Sequence, residues 1–269
     1  RILVLLRNQK KGWSMKKLAL TSLVALFAVP AIASANVIND NPMYRPDAGQ
    51  FYSVTTLASH SEDVESWGLG EECGYGITEK LAVIVGTSVA EFDSFDGMSW
   101  NDFSLGLNYR VFEMNNIKAD VFGRYAMGPV WGDHASFLDE DLTSYMWTVG
   151  TRVGYVADSF TLAAHFAFDY LGSESFNWGD EGMHRLRVGV NGQYLINNDW
   201  NLTAGVEYAG FTDDGVENAG VWTGILGVNY NINPDMFVGA YIGTEIEHAT
   251  GDWEFADGFA FGAKFGIQF

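Results

Sequence analysis

The last eleven residues of the chain alternate strictly between two kinds of side chain. Because successive side chains of a β-strand point to opposite faces, this run predicts a strand with one apolar face and one small or polar face. The same alternation recurs after residue 48, and it suits either a soluble sandwich with an apolar core or a membrane barrel with an apolar exterior. The apolar face carries Phe259, Phe261, Ala263, Phe265, Ile267 and Phe269, and the other face carries Ala260, Gly262, Lys264, Gly266 and Gln268.

The first 35 residues differ from the rest of the chain in charge. They hold six of the 15 Lys and Arg residues and none of the 34 Asp and Glu residues. Met15-Lys16-Lys17 starts a basic segment, and the apolar run 18–32 is shorter than the roughly 20 residues that a membrane-spanning helix needs. With the small residues Ala33 and Ala35 before the cleavage point, 15–35 is predicted to be a cleaved signal peptide. We interpret residues 1–14 as upstream sequence that does not belong to the natural protein.

The remainder is strongly acidic and has one cysteine. It contains nine basic and 34 acidic residues, which gives a formal charge of −25. Nucleic-acid binding needs a basic face, so no nucleic-acid partner is expected. The single residue Cys73 excludes an intrachain disulfide and any zinc site built from several cysteines.

Short and long polar connections alternate along the chain, which predicts twelve strands with both chain termini on the short-turn side. Outer-membrane barrels have this asymmetry and an even strand number. The short turns are at 78–80, 113–116, 157–159, 197–199 and 233–235, and the long loops are near 60–66, 93–101, 129–141, 172–182, 212–219 and 248–257.

A tyrosine precedes each of the five short turns, and each of these tyrosines lies on the apolar face of its strand. A ring of tyrosines at one depth is typical of a membrane interface, where the hydroxyl is wet and the ring is in the apolar layer. A soluble sandwich gives no reason for it, so the membrane barrel is favoured. The predicted girdle on the periplasmic side is Tyr75, Tyr109, Tyr155, Tyr194 and Tyr230.

These features together resemble the outer-membrane β-barrel proteins of Gram-negative bacteria, although no subfamily motif stands out. The resemblance implies an all-β, transmembrane, antiparallel up-and-down barrel of about 12 strands over 49–269, after a periplasmic segment 36–48 that could also cover the lower end of the lumen. It implies periplasmic termini, a location in the bacterial outer membrane, and contact with membrane lipid and lipopolysaccharide. It also implies that Phe265, Ile267 and Phe269 form a signal for the barrel assembly machinery.

The inward face predicted by this parity carries charges of both signs. They could form ion pairs that hold a closed barrel rigid, or they could line a water-filled constriction with opposed basic and acidic walls. Asp120 is expected to find a partner in Lys118 or Arg124. The candidate lumen-lining residues are Arg110, Lys118, Asp120, Arg124, Arg152, Asp169, Arg185, Arg187, Glu207, Glu245 and Lys264.

The long loops contain acidic residues and no Lys or Arg. They could simply be a solvated, mutually repelling surface, or they could concentrate cations and bind Ca²⁺ or Mg²⁺ between lipopolysaccharide phosphates. No other cofactor is expected, and neither acidic cluster has the spacing of a calcium loop. The weak metal candidates are Asp139, Glu140, Asp141, Asp213 and Asp214.

Glu71 conflicts with this assignment of faces, because its parity places a carboxylate outward at mid-depth. Such a residue costs on the order of 1–2 kcal/mol in lipid. The conflict predicts either a bulge near 68–74 or a shifted register in the first hairpin.

The five histidines lack the motifs of outer-membrane hydrolases, so no enzymatic activity is expected. The predicted function is a porin-like channel for ions or small hydrophilic solutes that favours cations. A closed barrel acting as a surface or adhesion protein through its acidic loops is the alternative. A surface hydrolase that depends on His248 is a third.

Overall fold

The computed structural model describes residues 41–61, 67–91, 99–128, 144–173, 182–213, 220–248, 253–255 and 258–269. Within these ranges the chain forms thirteen β-strands. No helix in the described residues is long and apolar enough to cross a membrane. The strands are β1 (Phe51–His60), β2 (Trp67–Gly76), β3 (Leu81–Glu91), β4 (Ser99–Met114), β5 (Ile117–Gly128), β6 (Ser144–Val156), β7 (Phe160–Ser173), β8 (Met183–Leu195), β9 (Trp200–Phe211), β10 (Gly220–Asn233), β11 (Met236–His248), β12 (Trp253–Phe255) and β13 (Ala260–Gln268).

Twelve of the thirteen described strands close into one antiparallel barrel. Each of β1 to β10 pairs with the next strand in the chain, and β13 pairs with both β11 and β1. Closure leaves no free edge among these strands, as a sheet in lipid requires. The predicted fold class and strand number are therefore confirmed. The short β12 pairs with β11 at 246–248, in a stretch that was predicted to be loop alone.

The five short connections lie together at one end of the barrel, which we call the short-turn end. They cover 77–80, 115–116, 157–159, 196–199 and 234–235, within two residues of the predicted turns. Two of them, 115–116 and 234–235, have only two residues. In the first, Asn115 has a φ of 52°, a left-handed conformation that asparagine adopts more readily than most residues. We call the opposite end of the barrel the long-loop end. The acidic candidates Asp139, Glu140, Asp141 and Asp214 are outside the described residues.

The barrel is packed inside out relative to a soluble protein. On the outer face, Val149 is 62% exposed and Leu226 is 59% exposed, whereas the inward Asp120 and Asp169 are 0% exposed. Polar groups inside and apolar groups outside are the arrangement that a lipid solvent favours. The parity predicted for the two faces is the one observed.

Two belts of aromatic side chains flank the apolar outer face. The five predicted tyrosines all lie outward near the short-turn end and are exposed, and Tyr230 packs on Trp200 with ring centroids 4.9 Å apart. A second belt near the long-loop end was not predicted. It includes the cross-strand pairs Tyr125–Trp147, at 4.6 Å, and Tyr208–Trp222, at 5.0 Å.

Glu71 faces outward without the predicted bulge or register shift. It lies opposite Thr55, and the β1–β2 pairing is continuous from Phe51 to Ser59. Its carboxylate accepts hydrogen bonds from the hydroxyls of Ser53 and Thr55, the latter at 2.6 Å. The physical reason is local: outward hydroxyls on β1 replace the water that the carboxylate loses.

Candidate functional site: two charged rows in the lumen

Cross-strand pairing places the inward charges in two rows that run across the strands. We call the first the lower row, and its successive members lie directly opposite one another from β4 to β11. Its β4 end is near the short-turn end and its β11 end is nearer the long loops, because the strands of a barrel are staggered. The lower row consists of Arg110, Asp120, Arg152, His165, Gly189, Glu207, Thr223 and Glu245.

Asp120 lies between two arginines of the lower row. The Arg110 Nε donates to Oδ1 of Asp120, and the Arg152 Nη2 lies 3.7 Å from Oδ2. All three side chains are less than 10% exposed. The expected partners Lys118 and Arg124 are not the ones observed. Side chains two positions apart on one strand are about 7 Å apart, whereas those directly opposite on neighbouring strands are about 5 Å apart.

Asp169 is the centre of the second row, which we call the upper row. It accepts hydrogen bonds from the Arg185 Nε at 2.8 Å, from Arg187 at 2.8 and 3.0 Å, and from the Thr148 hydroxyl at 2.7 Å. Asp169 is 0% exposed and Arg185 is 2% exposed. Buried charges in such a site are stable only with partners of this kind. The upper row consists of Arg124, Thr148, Asp169 and Arg185, with Arg187 alongside.

A histidine and a carboxylate meet across a glycine in the lower row. The His165 Nε2 lies 2.7 Å from Oε2 of Glu207, and Arg187 Nη1 approaches the same oxygen at 3.6 Å. Between them, Gly189 is covered by the imidazole, and an added Cβ there would overlap it. Glycine at this position therefore allows a contact across two strands.

The remaining predicted lumen residues lie at the margins of the two rows. Lys118 Nζ pairs with Glu113 at 3.0 Å beside the Asn115-Asn116 turn. Arg124 donates to the hydroxyl of Ser104 at 2.7 Å. Lys264 Nζ lies 5.0 Å from the centre of the Tyr241 ring. Glu245, on β11, ends the lower row.

The wall opposite β4–β9 is made of smaller side chains. We call it the small-residue wall, and it comprises the inward faces of β10, β11, β13, β1 and β2. Where large rings occur there, each lies over a glycine of the neighbouring strand, as Tyr52 does over Gly74 and Phe237 over Gly266. Its inward small residues include Gly227, Gly243, Ala260, Gly262, Ala58, Gly68 and Gly70.

Some contacts could not be found from the sequence alone. The Tyr52 hydroxyl donates to Glu72 at 2.9 Å, and His165 meets Glu207 although 42 positions separate them. Both contacts depend on strand register, which alternation alone does not fix. One sequence signal could have indicated such a contact: Gly189 lies between the polar residues Arg187 and Asn191 on the inward face of β8.

A His–Asp pair lies at the long-loop end, on the outer face. The Nδ1 of His184 lies 2.7 Å from Oδ1 of Asp213, and its ring packs on Phe168 and Tyr170 at 5.5 and 5.4 Å. This contact places Asp213, a weak metal candidate, beside a histidine in the second aromatic belt. The described residues contain no group of three or more His, Cys, Asp or Glu that could hold a metal ion.

Comparison with known proteins identifies the fold. Neither a protein-family model nor a curated protein matches the sequence. The NanC porin aligns with a TM-score of 0.56 at 11% identity over 81% of this chain and 98% of that chain. The KdgM porin aligns with a TM-score of 0.53 at 8% identity over 81% and 99%. The translocator domain of the autotransporter NalP from Neisseria meningitidis aligns with a TM-score of 0.52 at 9% identity over 92% and 97%. The chain therefore has the fold of an outer-membrane β-barrel.

Proposed function

We propose that the protein is a passive channel of the bacterial outer membrane for ions or small hydrophilic solutes. The observation that carries the proposal is the lower row, a line of polar groups from Arg110 near the short-turn end to Glu245 towards the long loops. The part of the row on β4 to β9 faces the small-residue wall. A solute that loses water in the lumen would keep polar contacts at each step, as conduction requires.

The orientation follows from the same proposal. The short-turn end would face the periplasm and the long loops the cell exterior, where they would contact lipopolysaccharide. The two aromatic belts support a membrane-spanning placement, because they flank the apolar outer surface. The orientation itself is supported by the connections, since outer-membrane barrels have short periplasmic turns and longer extracellular loops. Insertion would depend on the assembly machinery and on the terminal Phe265, Ile267 and Phe269.

Selectivity for cations is the finer part of the proposal. The inward face of the described strands carries seven basic side chains, namely the five arginines with Lys118 and Lys264. The six inward carboxylates Glu72, Asp102, Asp120, Asp169, Glu207 and Glu245 nearly balance them, so the lumen itself has little net charge. The acidic loops at the mouth would then decide the preference by concentrating cations there. The support for this part of the proposal is the sequence of these loops, which contain acidic residues and no Lys or Arg.

Acidic saccharides are a second candidate class of solute. A solved structure of the KdgM porin is described as a complex with disordered oligogalacturonate. In this chain, the specific support is Arg124, whose hydrogen bond goes to the neutral hydroxyl of Ser104, while the carboxylates of Glu72 and Asp102 act on its charge electrostatically. An arginine so placed could bind a passing carboxylate in the bidentate way that arginine favours.

The test is single-channel conductance of the refolded mature barrel in a planar bilayer, with a salt gradient to read the reversal potential. We expect steady conductance and a reversal potential of the cation-selective sign. The opposite sign, with block by an oligogalacturonate, would favour the second class of solute. A correctly folded barrel that is silent both as the wild type and in variants with a widened lumen would contradict the channel and favour a surface or adhesion protein that acts through its loops.

Hydrolysis can be tested on the same preparation. The His184–Asp213 pair is the described group closest to a catalytic arrangement, but a hydrolase also needs an activated nucleophile or water. We expect no cleavage of ester or peptide substrates by the wild-type barrel. Cleavage that is lost on His184→Ala would contradict the proposal.

A further inference from the structure

Residues 41–48 lie inside the short-turn end of the barrel. Pro42, Met43 and Pro46 are buried, and Met43 is only 3% exposed. Two hydrogen bonds to Asn41 close a turn at the start of the segment, from the backbone N–H groups of Met43 and Tyr44. The segment is therefore a folded element packed against the barrel.

One side of the segment is attached to β2 and the turn that follows it. Ala48 forms a parallel bridge with Gly76, and Gly49 N–H donates to the Gly76 carbonyl at 2.8 Å. The guanidinium of Arg45 donates to the carbonyls of Thr78, at 3.2 Å, and Glu79. These contacts fix the segment at one point of the barrel rim.

The middle of the segment contacts β1 and its neighbours. Tyr44 packs edge-on against Tyr52 with ring centroids 5.7 Å apart, and it belongs to the apolar cluster of Tyr52 and Phe237. Its hydroxyl lies 3.1 Å from Oε1 of Gln268 on β13. Burial, followed by the charge of Asp47, raises the pKa of Tyr44. The phenol therefore stays protonated at neutral pH, and its hydrogen bond is lost only as strongly alkaline pH ionises it.

The other side of the segment reaches the far wall. The Arg110 Nη2 on β4 donates to the Met43 carbonyl at 2.9 Å, and the Met43 side chain lies over Gly154 on β6. The strands contacted at the two extremes, β11 through Phe237 and β6 through Gly154, are five steps apart in a ring of twelve. The segment therefore crosses the lumen from one wall almost to the opposite one.

We propose that residues 41–48 form a plug that narrows the short-turn end of the lumen, that Arg110 holds the plug in place, and that displacing it widens the channel. This inference rests on the proposed channel function. Arg110 suits the role because it is already fixed by Asp120 and by Glu113, which it meets at 2.9 Å. The remaining nitrogen of its guanidinium, Nη2, then donates to the Met43 carbonyl from a fixed position.

Two glycines allow the plug to be displaced without altering it. A Cβ at Gly76 would overlap the backbone of Pro46 and Asp47, so Gly76→Ala must shift the plug. A Cβ at Gly154 would overlap the Met43 side chain, so Gly154→Ala should displace the plug from its contact with β6. The matched control is Gly224→Ala on the outer face of β10, which Trp222 and Leu226 share, where a Cβ would meet nothing within 4 Å.

The experiment compares these variants of the full mature chain by single-channel conductance. The position of the plug is measured separately, as the rate at which a membrane-impermeant maleimide labels the Met43→Cys variant in a Cys73→Ser background. We expect Gly76→Ala to raise conductance about twofold or more, and to speed labelling roughly tenfold because the docked state is opened. Gly224→Ala should change neither.

The outcomes separate the plug from the channel. Faster labelling of the Gly76→Ala variant without a change in conductance would overturn the plug, and so would rapid labelling in the unaltered background. Conductance in Gly76→Ala or Gly154→Ala alone, with a silent wild type, would support it as a plug that closes the channel completely. If no variant conducts, the proposed channel function fails, and the plug as a limit on conductance fails with it.

Discussion

The wall of β4–β9 and the small-residue wall cover the inside of the same barrel with different side chains. On β4–β9, Asp120 and Asp169 each lie between arginines and are completely buried. On the opposite wall, glycines lie beneath rings such as Tyr52 and Phe237. The first arrangement is rigid because each charge depends on its partners. The second has room at Gly68 and Gly70, where a Cβ would meet nothing closer than 3.8 Å, so we infer that β4–β9 holds the barrel's shape while the small-residue wall sets its width.

The largest expected effect comes from breaking the charged wall at its centre. Asp169→Ala removes the acceptor shared by Arg185, Arg187 and Thr148, and it should lower the free energy of unfolding by about 3–5 kcal/mol. Urea unfolding of the refolded barrel in detergent measures the change. On the small-residue wall, Thr56→Ala is the control and should cost less than about 1 kcal/mol. Equal losses at the two sites would contradict the division of roles.

The next effect tests the small-residue wall by filling it. Gly70→Trp adds a large side chain where a Cβ has room, and it should reduce single-channel conductance by roughly half or more because it narrows the lumen. Its stability should stay close to that of Gly70→Ala in the same urea titration. An unchanged conductance would show that the solute path does not pass along β2.

Much of this comparison was visible in the sequence. Period-two alternation and the positions of the short turns predict twelve strands and the inward face, because each depends only on neighbours in the chain. The tyrosines before the turns likewise predict the belt at the short-turn end. Each of these patterns reports a local requirement, and the barrel follows from their repetition.

The pairing within the rows was not visible in the same way. Arg110, Asp120 and Arg152 are neighbours only because three strands are aligned in one register, and the sequence favoured Lys118 or Arg124 instead. The hydroxyls that serve Glu71 were missed for the same reason, since Ser53 and Thr55 lie on another strand. Register depends on the geometry of each turn and on irregularities such as the shift between Arg110 and Phe112, and alternation of apolar and polar residues does not encode either.

A smaller effect distinguishes the arginines that stabilise the charged wall from Arg124, whose hydrogen bond goes to a neutral hydroxyl. Arg124→Ala removes a positive charge that is held by the Ser104 hydroxyl, so the reversal potential should move towards stronger cation selectivity. Arg187→Ala, in contrast, breaks contacts to Asp169 and Glu207 and should mainly reduce stability. If both variants shifted selectivity equally without loss of stability, the two arginines would have the same role.

The smallest effect concerns the hydroxyl that positions Arg124. Ser104→Ala removes the acceptor at 2.7 Å from Arg124 Nη2, and the loss of one such hydrogen bond should cost about 1 kcal/mol of stability. The guanidinium keeps its charge but loses its fixed position, so selectivity should move less than in Arg124→Ala. Combining the two changes supplies the control: in the Arg124→Ala background, Ser104→Ala should cost clearly less than it does alone. Additive losses would mean that the hydroxyl stabilises β4 through other contacts, such as the Gly86 carbonyl 3.4 Å away, and does not position the arginine.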